Sequence, residues 1–186
     1  MAEKEKSKTK VVTGMVRLSY AHIWTPQTTD EGKEKYSVCL LIPKTDTETI
    51  ERMQRAVQAA IERGTAVFGG RTPAPSLLKL PLRDGDAERP EDAACRGCVF
   101  LNATSDTAPQ IVDQRVQRIL RREEVYSGCY ARVSLNFYAY NTWGNKGIAA
   151  GLGNIQKVRD GERLDGRMNA EDEFDIIPDA DDDLLG

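Results

Sequence analysis

The 186-residue chain has one histidine, four cysteines and no uninterrupted apolar run of the roughly 18 residues that a membrane-spanning helix needs. With His22 alone, schemes of catalysis or metal binding that use several imidazoles are excluded. Cys39, Cys95, Cys98 and Cys129 are too scattered for a zinc site. Cys95-Arg-Gly-Cys98 has the spacing of half of one, and no second pair completes it. Free thiols are the expectation, with no metal and no cofactor. No phosphate-binding loop or nucleophile elbow appears, and Gly151-Leu-Gly153-Asn154 is too short and too late to be a dinucleotide fingerprint. There is no internal repeat. The first ten residues are charged and lack the apolar core of a signal peptide, which predicts an intracellular protein.

The last sixteen residues, Glu171 to Gly186, contain no Lys or Arg; they hold eight carboxylates and end on Leu184-Leu185-Gly186. The whole chain has 26 basic and 29 acidic residues, a net of −3. Without the tail it carries 26 basic against 21 acidic residues, a net of +5. A bulk pI of 5.4 therefore hides a mildly basic body. A tethered polyanion can occupy a site that would otherwise hold a nucleic-acid backbone. The other reading is a solvated end that keeps the protein soluble.

Length and an ordinary 40% hydrophobic, 30% charged balance predict one soluble domain. Residues 11–24 and 35–42 alternate as strands. Between Thr45 and Arg63, Ile50, Met53, Val57, Ala60 and Ile61 recur at helical spacing, after a Thr45-x-x-Glu48 capping box and before Gly64. Residues 64–97 carry five glycines and four prolines and predict a long irregular excursion, functional or mobile. A short strand over 99–104 follows. A charged stretch over 114–124 has the spacing of a short helix packed through Val116, Ile119 and Leu120.

Tyr130 to Tyr140 is a strand with two unlike faces. Ala131, Val133, Leu135, Phe137 and Ala139 form one; Tyr130, Arg132, Ser134, Asn136, Tyr138 and Tyr140 form the other. A turn at 141–147 leads to a last strand over 148–158, whose Gly151 and Gly153 would permit a bulge. Hairpin spacing of some five strands favours a small closed barrel with one helix after the second strand.

Single strands of nucleic acid are held by cations along the backbone and by aromatic rings stacked on bases. The even face of the 130–140 strand offers both, so Tyr130, Tyr138, Tyr140 and Trp143 are candidate stacking residues. Arg132, Lys146, Lys35 and Arg17 are candidate phosphate contacts. Trp24, at a strand end, suits either the core or the site. Tyr20 and Tyr36 fall on apolar faces and are expected in the core. The main enzymatic rival is a metal-dependent nuclease or resolvase using Asp84, Asp86, Glu88, Glu91 and Asp92, but these lie in a loop with no Lys or His to act as a base. A structural or adaptor module that uses the same barrel without binding DNA is a third class.

Three stretches then carry a resemblance: Pro81-Leu-Arg-Asp-Gly-Asp86; Val99-Phe-Leu-Asn-Ala-Thr104 with Pro109-Gln-Ile-Val-Asp113; and Gly144-Asn-Lys-Gly147 with Gly151-Leu152. Together they resemble the single-stranded DNA-binding proteins of tailed bacteriophages, a divergent OB-fold group, over residues 11–167. The resemblance implies a mainly β, five-stranded antiparallel OB barrel, with a charged N-terminus over 1–10 and a disordered acidic tail over 168–186. It implies no catalysis, a role in phage DNA replication, recombination or repair, and a place in the cytoplasm of the infected host. It also implies a tail that contacts replication or recombination proteins and competes with DNA. Phe174, Asp181, Asp182, Asp183, Leu184 and Leu185 are the tail's candidate contacts. Family tails commonly end on an aromatic residue, whereas this one ends Leu-Leu-Gly. A homodimer is a candidate assembly.

Overall fold

A computed structural model describes residues 8–166 and 174–178. The strands are β1 (Lys10–Val12), β2 (Val16–Thr28), β3 (Glu34–Pro43), β4 (Arg83–Asp84), β5 (Cys98–Ser105), β6 (Ile111–Val112), β7 (Tyr130–Thr142) and β8 (Asn145–Arg159). The helices are α1 (Thr47–Arg63) and the single turn α2 (Gly85–Glu88). Strands β2, β3, β5, β8 and β7 pair in that order, and β7 pairs back to β2, which closes a ring. This five-stranded Greek-key barrel is an OB fold. One seam departs from the antiparallel expectation: β5 and β8 run parallel, with Ala103 opposite Ala150 and Thr104 opposite Gly151. No hairpin joins those two strands, so nothing forces them antiparallel.

Alternation along the strands fills the barrel. Leu18, Val38, Leu40, Ile42, Leu101, Ala131, Val133, Leu135, Phe137 and Ile155 are buried in one core. Helix α1 adds Met53, Ala56, Val57, Ala60 and Ile61 to it. The helix starts two residues later than its pattern predicts. Asp46, not Thr45, is the cap, its carboxylate accepting from Thr49 N at 3.2 Å. Gly64 ends α1 at an ordinary φ of −82°, so left-handed freedom is not its reason. A Cβ there would collide with that of Ala139 on β7.

Three further expectations are corrected. The first predicted strand is two, because Gly14 turns out of the sheet and donates to Thr49 Oγ1 at 3.0 Å. Residues 114–124 are not an α-helix. Asp113 Oδ1 accepts from Arg115 N and Gln117 N at 2.8 and 3.0 Å, taking up donors that a helix would use. Val116 then takes φ +62°; Ile119 alone is buried, and Val116 and Leu120 are exposed. Third, Tyr20 is not in the core. A register shift between Ser19 and His22 breaks the alternation of β2, and the ring is 61% exposed. Tyr36 is half-buried.

The excursion over 64–97 packs closely on the barrel. Its β4 pairs with β5, and Cys95 joins Cys39, Leu41 and Phe100 in a small second core on the outside of β3 and β5.

Candidate nucleic-acid interface

Register aligns one residue from each of six strands into a belt across the barrel's outer face. His22 lies opposite Ser37, Ser37 opposite Thr104, Thr104 opposite Gly151, Gly151 opposite Asn136, and Asn136 opposite Lys10. Their neighbours along each strand point into the core, so the belt points outward; none of the six is buried. Small polar groups and glycine there leave room for a chain lying across the strands.

Where the belt crosses β8 it is a groove of about 690 Å³. Its floor is Gly151, Leu152 and Gly153; Lys35, Thr104 and Asp106 stand on one side, Asn136 and Tyr138 on the other. Gly153 belongs to the bulge that the paired glycines predict: Val133 faces Ile155 but Leu135 faces Leu152. Asn154 N donates to Ser134 Oγ at 2.7 Å, and a side chain at Gly153 would strike that serine.

The predicted site residues divide into separate groups. Lys35 and Tyr138 share the groove; Tyr138 is 43% exposed, and Lys35 Nζ pairs with Asp106 Oδ1 at 3.1 Å. Trp143 is 99% exposed at the tip of the β7–β8 hairpin. Its φ of +52°, with Gly144 at +83°, makes the two-residue turn that matches strand twist. Tyr140 is half-buried opposite Gly147, and Lys146 is half-buried with its carbonyl accepting from Lys79 N. Arg132, on the same face, donates to Thr13 O and Gln156 Oε1 at 3.3 and 3.4 Å. Tyr130 is roughly 27 Å along the strand from Tyr138 by the rise per residue. There Arg17 and Arg159 lie 5.6 and 4.5 Å from its ring centroid. Arg17 is itself tied to Gly128 O and Glu162 O at 3.1 and 2.6 Å, a structural role. Trp24 is half-buried across the barrel, its indole N–H donating to Val125 O at 2.9 Å. Phe174 is 70% exposed. Asp181, Asp182, Asp183, Leu184 and Leu185 lie outside the described residues, as do residues 1–7.

The acidic residues of the excursion brace the structure. Lys44 Nζ reaches Asp84 Oδ1 at 2.8 Å and Asp86 Oδ2 at 2.7 Å, and its hydrogen bonds hold both carboxyls below the usual range. Glu88 pairs with Arg83 at 2.6 Å. The four cysteines are free thiols; burial, with Asp92 beside it, pushes the Cys95 thiol up to about 11. Sequence alternation missed Tyr20 and Arg89, which meet beside His22 at the far end of the belt. A bulge and a docked insertion bring them there, and neither leaves a periodic signal.

An OB barrel with a polar belt, an aromatic hairpin and a glycine-floored groove defines a nucleic-acid-binding class of fold. Sequence comparison makes it particular: residues 9–185 match the family of the Enterobacter phage Enc34 ssDNA-binding protein, and the chain belongs to that family. Protein p50 of Acyrthosiphon pisum secondary endosymbiont phage 1 is 30% identical over 183 residues, 95% of this chain and 98% of that one. The Enc34 single-stranded DNA-binding protein solved in complex with ssDNA superposes with a TM-score of 0.75 at 27% identity, over 86% of this chain and 90% of that one. The bacteriophage T7 single-stranded DNA-binding protein gp2.5 shares the fold, with a TM-score of 0.55 at 17% identity over 88% and 98% of the two chains. These relatives of known function are described as DNA-binding proteins, none as an enzyme. Among the described residues no helix is long and apolar enough to cross a membrane.

Proposed function

We propose that this protein coats single-stranded DNA with little sequence preference, in phage DNA replication, recombination or repair in the cytoplasm of the infected host. The observation that carries this is the belt in register from His22 to Lys10, opening into the groove between Lys35 and Tyr138. A strand lying across the belt meets the Lys35 and Lys10 cations with its phosphates and the Tyr138 ring with a base; the exposed Trp143 at the hairpin tip supplies a second platform. Stacking on Tyr138 and Trp143 and charge pairing with Lys35 and Lys10 accept any base, which fits binding without sequence choice.

The domain of residues 11–167 carries the DNA. The acidic segment 168–186 competes for the same groove and, through Phe174, Asp181–Asp183 and Leu184–Leu185, contacts replication or recombination proteins. Titration with oligo-dT, followed by tryptophan fluorescence across a range of salt, is the test. Quenching and an affinity that falls steeply with salt are expected. Absence of binding at low salt would remove the reading, and magnesium-dependent cleavage would replace it with the nuclease.

A further inference from the structure

Tyr20 lies within β2 at φ +44°, a left-handed backbone that bulky L-residues avoid. The bulge returns Ile23 to the core, but the Tyr20 ring it turns outward is 61% exposed and gains no burial of its own. A large aromatic ring held outward on a strained backbone points to function.

The ring is also supported from outside the barrel. Arg89, from the excursion, lies 5.9 Å from the Tyr20 centroid and 4.2 Å from that of the buried Phe100, and Nη1 donates to Cys39 Sγ at 3.9 Å. The excursion is fixed in turn by β4–β5 pairing and by Lys44 with Asp84 and Asp86. Arg89 is thus a held group rather than a waving one. Tyr20 and His22 line a shallow groove of about 330 Å³ with Ser37 and Asn102. They also line a cleft of about 930 Å³ whose walls include Trp24, Arg122 and Tyr126. The belt therefore runs at its β2 end into a cleft large enough for a base.

Charge decides which part of a nucleotide fits. Arg89 and Arg122 are opposed in that cleft by Glu91, Asp92 and Asp165, so no positive excess awaits a phosphate. Carboxylates do accept from the N–H donors on base edges, the ring N3–H of thymine among them, and an aromatic face stacks on any base.

We infer that the cleft beside Tyr20 receives one base of a strand crossing the belt, stacked on the Tyr20 ring, with the flanking phosphates left outside over the belt. The site rests on the single-stranded DNA reading and extends it from the Tyr138 groove to the β2 end of the belt. Tyr20 is then a base-binding residue, and Arg89 a positioning residue that holds its ring.

Two readouts on one sample test this. Trp143→Tyr keeps an aromatic ring at the hairpin tip and leaves Trp24, in the cleft wall, as the sole tryptophan. Polarisation of a labelled oligo-dT reports binding, and Trp24 emission reports occupation of the cleft. Binding is expected to quench Trp24. Tyr20→Gly removes the ring and suits the positive φ, so the fold should stand, with DNA affinity falling roughly 5- to 150-fold. Arg89→Ala should lower affinity less, and Arg89→Lys should not restore it. DNA binding with Trp24 emission unchanged and Tyr20→Gly at parental affinity would overturn the cleft alone. No polarisation change at low salt with the unsubstituted chain would overturn the cleft and the single-stranded DNA reading together.

Discussion

Lys35 Nζ and Asp106 Oδ1 lie 3.1 Å apart at the edge of the glycine-floored groove. The aspartate side chain is 79% exposed, and a pair so open to water contributes only about 0–1 kcal/mol. Lys35 can therefore exchange Asp106 for a phosphate at little cost. Asp106→Asn is expected to tighten oligo-dT binding at low salt, with a steeper salt dependence. Lys35→Ala should weaken binding and lower the slope of log K against log salt by about 0.7, the share of one phosphate on a single strand. An unchanged slope in the alanine variant would take Lys35 off the DNA path.

Tyr138 offers the matching test of stacking. It stands on the outer face of β7 beside Gly151, whose missing side chain leaves the ring edge accessible. Tyr138→Ala should cost roughly 1–3 kcal/mol of binding free energy. Thermal stability should barely move, because nothing in the core rests on this ring. Equal affinities by fluorescence titration, with the fold intact by circular dichroism, would remove Tyr138 from the interface.

The β7 face is legible because period-two alternation survives from Tyr130 to Tyr138, with the core behind it. The belt is not. Its Thr104–Gly151 contact crosses a parallel seam between strands distant in sequence, and no local pattern encodes such a pairing. Tyr20 departs for the opposite reason: a bulge in β2 reverses the alternation that its sequence neighbours set up. Val116, Ile119 and Leu120 have helical spacing, yet Asp113 captures the backbone donors first and a turn results. Composition marked residues 64–97 as an excursion but left hidden that Cys95 and Arg89 dock on the outside of β3 and β5.

Gly64 separates packing from propensity. At φ −82° an alanine meets no backbone penalty, and by intrinsic preference it would favour the end of α1. A Cβ there collides with Ala139, and both α1 and β7 are anchored in the core. Gly64→Ala should therefore destabilise by about 1–3 kcal/mol, as overpacked sites do. Urea denaturation is the check; an equal or higher midpoint would show that the helix end shifts freely.

The buried thiols make stability depend on alkaline pH. Burial raises Cys95 to about 11, and burial also raises Cys39 and Cys129. An unfolded thiol ionises near 8.5. A raised folded value means that the native state favours the neutral thiol. That contribution is complete below about pH 8.5 and is lost as pH climbs toward 11. The melting temperature should fall over that window, and less so in Cys95→Ala. Iodoacetamide at pH 8 should leave Cys39, Cys95 and Cys129 unlabelled until denaturant is added; rapid labelling of the native protein would contradict their burial.

The acidic C-terminus supplies the last test, because its eight carboxylates invert the charge of the whole chain. The belt and groove present Lys10 and Lys35 to whichever polyanion is nearer, and a tethered one has the advantage of effective concentration. Such competition is electrostatic at both ends, so it should be strong at low salt and fade as salt screens both partners. Truncation after Ala170 should tighten oligo-dT binding at low salt, and the full-length and truncated chains should converge as salt rises. Substituting the tail's aspartates and glutamates by their amides should reproduce the truncation, whereas changing only Phe174, Leu184 and Leu185 should leave DNA affinity unaltered and affect protein partners instead. Equal affinities for the full-length and truncated chains at low salt would make the tail a solubility element and leave the groove permanently open to DNA.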